Sequence, residues 1–270
     1  MNPGDIVPLA FNAGLVGLSF VIAALGSYVA LLAAARIRRP GIGGGAGTVS
    51  MGYVLVAALA LGGIGIWGMH FIGMLAQRIP FSVGYDISLT ILSFLVAVFF
   101  AGAALWYVGH GRYGTQRCLA GGVLAGVGVA GMHYIGMSAM RMPAVFAWSE
   151  PLVLASVVIA VAAASAALWL AFSVQREWHR VVAALVMAGA VCGMHYTGAA
   201  AGSIICTTPT TTQASWLLGG TSLPYVVFAL SALTLVVMRW LLHRTSTEYR
   251  EQVAARMDAL LDTKSSKQGS

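Results

Sequence analysis

The chain consists largely of long apolar runs separated by short polar segments. Each run has about the 20 residues or more that an α-helix needs to cross the hydrocarbon core of a bilayer. Seven such runs lie at 9–35, 51–76, 86–109, 118–140, 151–174, 181–204 and 222–242. The pattern predicts an all-α integral membrane protein that crosses the lipid bilayer with seven transmembrane helices.

The charged residues predict how these helices are oriented. Charged residues make up only 9% of the 270-residue chain, far below the roughly one quarter that is usual in soluble domains. Of the 15 Lys and Arg residues, all except Arg78 and Arg141 fall on the side of the C-terminal tail. Because basic residues accumulate on the cytoplasmic side, we expect the N-terminus outside and the C-terminus inside. This asymmetry accounts for the net charge of +7, so no nucleic-acid partner is expected.

Three of the runs carry the same motif. It reads GIWGMHFIGM at 65–74, GVAGMHYIGM at 128–137 and AVCGMHYTGA at 190–199. The histidines of these motifs, His70, His133 and His195, follow one another at nearly equal intervals, and Ser156 follows Ser93 at the same interval as His133 follows His70. This period equals two spans with their connections. It predicts three parallel helix-pair repeats followed by a seventh helix, with the three histidines at one depth around a shared centre.

Similar residues surround each histidine. Methionines precede it, or follow it four residues later on the same helix face, at Met69, Met132, Met194, Met74 and Met137. Glycines lie two residues before and three residues after it, at Gly68, Gly73, Gly131, Gly136, Gly193 and Gly198. We expect these glycines to let helix backbones approach closely. The aromatic residues that follow the histidines are Phe71, Tyr134 and Tyr196.

These residue types favour a metal site. An ionisable side chain within a membrane is costly and usually marks function. A single histidine there is often a hydrogen-bonded packing residue, but three at one depth favour a common site. Neutral imidazole with thioether sulfur suits copper, above all Cu(I), with zinc or haem as alternatives. We therefore predict that the three histidines, with the five methionines, hold one metal ion near the outer face, with imidazole nitrogens roughly 3–4 Å apart.

Two other functions fit parts of the pattern. Three histidines and a water could form the catalytic zinc site of an intramembrane hydrolase, but the even-numbered spans contain no Asp or Glu to act as general base. A copper carrier would need a continuous polar path to the cytoplasm, and the sequence indicates none beside the motif helices. We therefore expect a binding or sensing protein that is not an enzyme.

The polar C-terminal tail predicts a second, smaller unit. We divide the chain into a seven-span domain at 1–244 and a cytoplasmic segment at 245–270. The segment begins as an amphipathic helix, with Val253, Met257 and Leu260 at helical spacing, and becomes Lys/Ser-rich, which is typical of disorder. The helix could connect to a cytoplasmic domain or lie on the lipid surface.

The motif resembles that of a known family. MHYT stands at 194–197, with MHYI at 132–135 and MHFI at 69–72, and seven spans with these motifs on the second, fourth and sixth helices resemble the MHYT family of bacterial membrane sensor domains. The resemblance covers about 1–245. It implies a sensor of O2, CO or NO in the bacterial cytoplasmic membrane, with a copper centre built by Met, His and Tyr. The alternative signal is the metal itself.

The resemblance also implies partners. Family members commonly precede domains that make or degrade cyclic di-GMP, so we expect a cytoplasmic signalling partner, or a second copy of the chain. Two residues depart from the family's motif. Phe71 replaces the first tyrosine and Ala199 replaces the third later methionine, which argues against a site that needs threefold Tyr or threefold Met.

Overall fold

The computed structural model describes residues 2–39, 48–110, 114–174, 176–207, 217–218 and 223–268. Its seven long helices are α1 (Ala13–Ala34), α2 (Met51–Ala76), α3 (Ile87–Gly109), α4 (Thr115–Ser138), α5 (Glu150–Ser173), α6 (Glu177–Ala201) and α7 (Leu223–Gln268). All seven are long and apolar enough to cross a membrane, α7 over Leu223–Arg244. The predicted number of spans is confirmed.

Local sequence signals explain where several helices begin. The side chain of Asn12 accepts hydrogen bonds from the backbone N–H groups of Gly14 and Leu15, which caps α1. The carboxylate of Asp86 caps α3 in the same way through Leu89. Pro151 lies in the first turn of α5, where its missing N–H costs nothing.

Helices α1 to α6 pack as a ring in chain order, and α6 closes the ring against α1. The even-numbered helices α2, α4 and α6 also contact one another inside it. The outward side chains are apolar, including the exposed Phe99, Leu154 and Val158, as expected of helices that face lipid. Helix α7 lies outside the ring against α2, which makes α2 the most buried of the spans.

The middle of α2 departs from α-helical geometry. Leu59–Gly68 forms a π-helix that ends two residues before His70, and such segments occur frequently at functional sites. Close packing here depends on glycine, because a Cβ at Gly26 of α1 would lie 2.4 Å from the backbone N of Gly65. The hydrophobic pattern of this span did not predict the π-helix.

Short strands, which the sequence pattern did not predict, join the connections at the histidine end of the bundle. In one sheet β3 (Gly84–Asp86) pairs with β4 (Met140–Arg141) and β7 (Leu217–Leu218). A second pair joins β5 (Ala144–Trp148) to β6 (Gly202–Cys206). A further pair at the opposite end joins β1 (Arg38–Arg39) to β2 (Thr48–Val49). These pairings satisfy backbone groups that leave the helices.

The last helix passes through the position at which the chain was predicted to divide into two units. Helix α7 runs without a break from Leu223 to Gln268, through positions 244 and 245. The amphipathic segment expected after 245 lies within this helix. The boundary between a seven-span domain and a cytoplasmic segment stays a prediction.

Candidate metal centre

Three imidazoles meet on the axis of the bundle. The Nδ1 atom of His70 lies 3.0 Å from that of His195 and 3.2 Å from that of His133, and the remaining pair is 3.3 Å apart. Helices α2, α4 and α6 each supply one of these side chains, and all three are buried. The convergence that the regular spacing of the motifs predicted is confirmed.

The donor set of this cluster suits a cation. Each neutral Nδ1 carries either a proton or a lone pair, so N–H···N hydrogen bonds cannot satisfy all three pairs at once, and at least one pair is left with two lone pairs or two protons facing each other. A positive ion shared by the three lone pairs removes this conflict. Imidazole bonds to zinc or copper are about 2.0–2.1 Å long, which places tetrahedral ligand nitrogens roughly 3.3 Å apart. The observed separations of 3.0–3.3 Å fit this arrangement.

The other ring nitrogen of each histidine points at a glycine of the next motif. A Cβ at Gly136 would lie 2.3 Å from Nε2 of His70, and a Cβ at Gly198 would lie 2.4 Å from Nε2 of His133. A Cβ at Gly73 would likewise lie 2.3 Å from Nε2 of His195, which closes the cycle from α2 to α4 to α6 and back. The glycine three residues after each histidine thus leaves room for the neighbouring imidazole.

The glycines before the histidines do not have the predicted role. A Cβ at Gly131 or Gly193 would have no neighbouring atom within 4 Å, and at Gly68 the nearest atom would be 3.5 Å away. The expectation of close helix approach at Gly131 and Gly193 is therefore wrong. The reason is geometric, because a residue two positions before a histidine lies about 200° around the helix from it and faces away from the centre.

The tyrosines connect the inner helices to the outer ones. Each ring packs edge-on against the histidine before it, with centroids 4.9 Å apart for Tyr134 and 4.8 Å apart for Tyr196. The hydroxyl of Tyr134 hydrogen-bonds Ser156 of α5 at 2.6 Å, and that of Tyr196 hydrogen-bonds Ser19 of α1 at 2.9 Å. The tyrosines therefore support the imidazoles from outside the cluster.

A tryptophan takes over this connection in the first motif. Phe71 has no hydroxyl, but Trp67 lies one turn earlier on α2 and donates from Nε1 to the hydroxyl oxygen of Ser93 on α3 at 3.0 Å. The rings of Phe71 and Trp67 pack together with centroids 4.8 Å apart. The departure of the first motif from tyrosine thus leaves the link between inner and outer helices intact.

The serines of the outer helices were missed as site residues. Ser19, Ser93 and Ser156 each donate a hydrogen bond to the carbonyl three residues earlier, at 2.7 to 2.8 Å, so the hydroxyl oxygen accepts from the aromatic residue. The repetition of Ser93 at Ser156, at the interval of the first two histidines, was the available signal. Ser19 does not fit this repeat, because it lies farther from Ser93 along the chain than His70 lies from His133. The longer connection after α1 accounts for the difference.

The methionines lie in apolar clusters around the centre. Met74, Met132 and Met137 share a cluster with Trp67 and Phe71. Met69 packs with residues of α1 and α6, and Met194 packs with alanines of α4 and α5. All five are buried. Their role as metal ligands stays a prediction.

Comparison with known proteins identifies the family. The sequence model of the MHYT repeat, described as the N-terminal repeat of a bacterial signalling protein, matches residues 63–121 and 126–184. The two matches begin as many residues apart as His70 and His133 lie along the chain. The chain belongs to the MHYT family.

Similar proteins carry signalling names. The bifunctional diguanylate cyclase/cyclic di-GMP phosphodiesterase MucR of Pseudomonas aeruginosa is 43% identical over 71% of this chain and 28% of its own length. The cyclic di-GMP phosphodiesterase NbdA of the same organism is 34% identical over 77% of this chain and 28% of its own. The signaling protein YkoW of Bacillus subtilis is 29% identical over 71% of this chain and 24% of its own length. This chain thus matches about a quarter of each relative's length, and no solved structure matches it.

Proposed function

We propose that this chain is a membrane sensor that holds one copper ion among His70, His133 and His195. The observation that carries the proposal is the convergence of three buried Nδ1 atoms within 3.3 Å of one another. Bound copper supplies a coordination position for a diatomic molecule such as O2, CO or NO. The chain itself holds the imidazoles in place through Gly73, Gly136 and Gly198, and excludes water by burying them.

Copper is preferred to zinc because soft methionine side chains surround the imidazoles. Among the acids that the structure describes, Asp86 lies at the start of α3, where it pairs with Arg141 at 3.1 Å. Within the described ranges, the histidines form a ligand group without a carboxylate. We therefore propose binding and sensing without a catalytic step. The three-histidine set also suits zinc, so an intramembrane zinc hydrolase is the second candidate.

We further propose an arrangement of three parallel helix pairs, with the N-terminus outside and the histidines in the outer half of the membrane. Equivalent histidine–glycine and serine–aromatic contacts in the three motifs support the repeat, and the excess of basic residues on the tail side supports the orientation. Cysteines introduced at Arg78 and Arg141 should react with an impermeant reagent added outside intact cells. Reaction at these positions only after lysis would reverse the orientation.

The signal would leave through α7. This helix continues the seventh span, and its Leu223 and Val227 pack in one cluster with Trp67, Phe71 and Met74 beside His70. The part matched here is only 28% of the length of each relative named as a cyclic di-GMP enzyme. We propose that α7 joins the sensor to a cytoplasmic signalling partner of that class or to a second copy of the chain.

Metal analysis tests the proposal. Protein purified from copper-replete cells should carry one copper per chain, and His133→Ala should lose it while remaining folded. The matched control is His179→Ala, since His179 is exposed at the start of α6 and should keep its copper. Equal copper in both variants would refute the site. Stoichiometric zinc without copper would favour the hydrolase.

A further inference from the structure

A largely buried, partly open cavity lies among helices α2 to α6. Its volume is about 50 Å³, and its lining side chains are all Ala, Val, Leu, Ile or Met. A buried water needs two to four polar partners, and this lining supplies none from the side chains that form it. Larger apolar cavities of about 150 Å³ stay dry and bind benzene or xenon. A cavity of about a third of that volume suits an apolar guest smaller than benzene, such as a diatomic molecule or a single xenon atom.

The cavity lies directly beneath the three histidines. Ile66, Val129 and Val191 are among the residues that line it. Each stands four residues before the histidine of its own motif, so each shares a helix face with that histidine. Four residues correspond to a rise of about 6 Å. The cavity is therefore separated from the imidazole cluster by one layer of side chains.

Small residues of the outer helices leave this space open. Ala101 and Ala104 of α3 line one wall, and Ala160, Ala164 and Ala167 of α5 line another. Equivalent alanines recur at the interval that separates His70 from His133, since 101 matches 164 and 104 matches 167. The same two helices also face lipid, in which small apolar molecules are more soluble than in water. The walls thus leave room for a guest and lie next to the lipid from which an apolar guest would enter.

We propose that this cavity binds an uncharged apolar molecule of diatomic size and holds it next to the histidine centre. The inference rests on the proposed function and assigns its diatomic ligand a second binding place, outside the metal centre. Water and ions are disfavoured by the lining, and ring-sized apolar molecules by the volume. Met194 lines the cavity and immediately precedes His195, so a guest there would contact the backbone segment that positions this imidazole.

Xenon binding tests the inference because xenon is apolar and easily detected. Protein in lipid nanodiscs would be equilibrated with xenon and followed by 129Xe NMR, and xenon would be located by anomalous scattering in crystals. We expect one internal site in the wild-type protein. Ala164→Leu should abolish it, whereas Ala162→Leu should keep it, because Ala162 is exposed on the lipid side of the same helix.

A second variant covers the case in which Ala164→Leu fails to fold. Val129→Ala removes two methyl groups from the lining and should raise xenon affinity severalfold. Equal xenon binding in wild type, Ala164→Leu and Val129→Ala would overturn the inference, as would xenon found only on lipid-facing surfaces. Such a result would leave the cavity as a packing void.

The xenon and copper measurements fail independently. Xenon binding requires no metal, and copper content would be determined on the same samples. Copper without internal xenon would overturn the cavity inference and leave the metal centre. Internal xenon without copper would support the cavity as an apolar site and refute the proposed copper sensor.

Discussion

The imidazole of His70 occupies the space that a side chain at position 136 would need. A Cβ at Gly136 would lie 2.3 Å from its Nε2 atom, closer than any tolerable contact. The same relationship links His133 to Gly198 and His195 to Gly73. Each motif therefore supplies one imidazole to the centre and one glycine that accommodates the imidazole of a neighbouring helix.

Replacing Gly136 by alanine should displace His70. Accommodating the added methyl group in this packed interior costs about 1–3 kcal/mol of unfolding free energy. We expect copper affinity to fall roughly 10- to 100-fold, as when a partner that orients a ligand is lost. Thermal unfolding in detergent and metal titration would measure the two effects.

Gly131→Ala is the matched control on the same helix. A Cβ at Gly131 meets no atom within 4 Å, and removal of a helical glycine stabilises by about 0.5–1 kcal/mol. Copper affinity should not change. A Gly136→Ala protein that matched Gly131→Ala in both measurements would contradict the packing of His70 against Gly136.

The hydrogen bond between Ser156 and Tyr134 should stabilise the bundle and orient His133. Ser156→Ala leaves the Tyr134 hydroxyl without its partner at 2.6 Å, and we expect a loss of about 1 kcal/mol. The coupling free energy with Tyr134→Phe, from a double-mutant cycle, should be about 0.5–1.5 kcal/mol. Ser165→Ala is the control, since the hydrogen bond that Ser165 makes among the described residues goes to a carbonyl of its own helix. Additive effects of Ser156→Ala and Tyr134→Phe would exclude this role.

Restoring a tyrosine in the first motif should destabilise the protein. Phe71 is fully buried against Trp67 and Tyr85, and Trp67 already uses the hydroxyl oxygen of Ser93. The hydroxyl of Phe71→Tyr would therefore be buried without its equivalent partner, at a cost of about 1–3 kcal/mol. Chemical denaturation would measure the loss. A variant as stable as the wild type would show that Ser93 can serve both rings.

Copper loading should move α7 relative to α6. The π-helix of α2 lies between His70 and α7, with Thr234 3.5 Å from a Cβ built at Gly63. Helix shifts of about 1–2 Å are a common switching motion. Spin labels at Trp178→Cys and Thr247→Cys would report the distance, since the three native cysteines are buried. The distance should change with copper in the wild type and not in His133→Ala. An unchanged distance in both would exclude this transmission route.

The sequence determined the features that depend on periodicity and apolar length. Runs of about 20 apolar residues fix the number of spans, and the observed membrane-spanning segments begin and end within four residues of the predicted spans. The regular spacing of His70, His133 and His195 predicted their convergence because it favours repeated helix pairs, in which equivalent helices would run in the same direction. Both properties can be read from the sequence alone, because they do not depend on which helix faces contact one another.

Only the tertiary structure decided which side chains contact one another across helices. The sequence could not assign Gly136 to His70, or separate it from Gly131, because both glycines belong to one motif and differ only in the face they present. It gave no sign that Trp67 substitutes for the hydroxyl missing at Phe71, since that bond depends on the approach of Ser93 from α3. The cavity beneath the histidines likewise arises from five helices together. Rotation and spacing between helices set these contacts, and neither is encoded in the pattern of any single span.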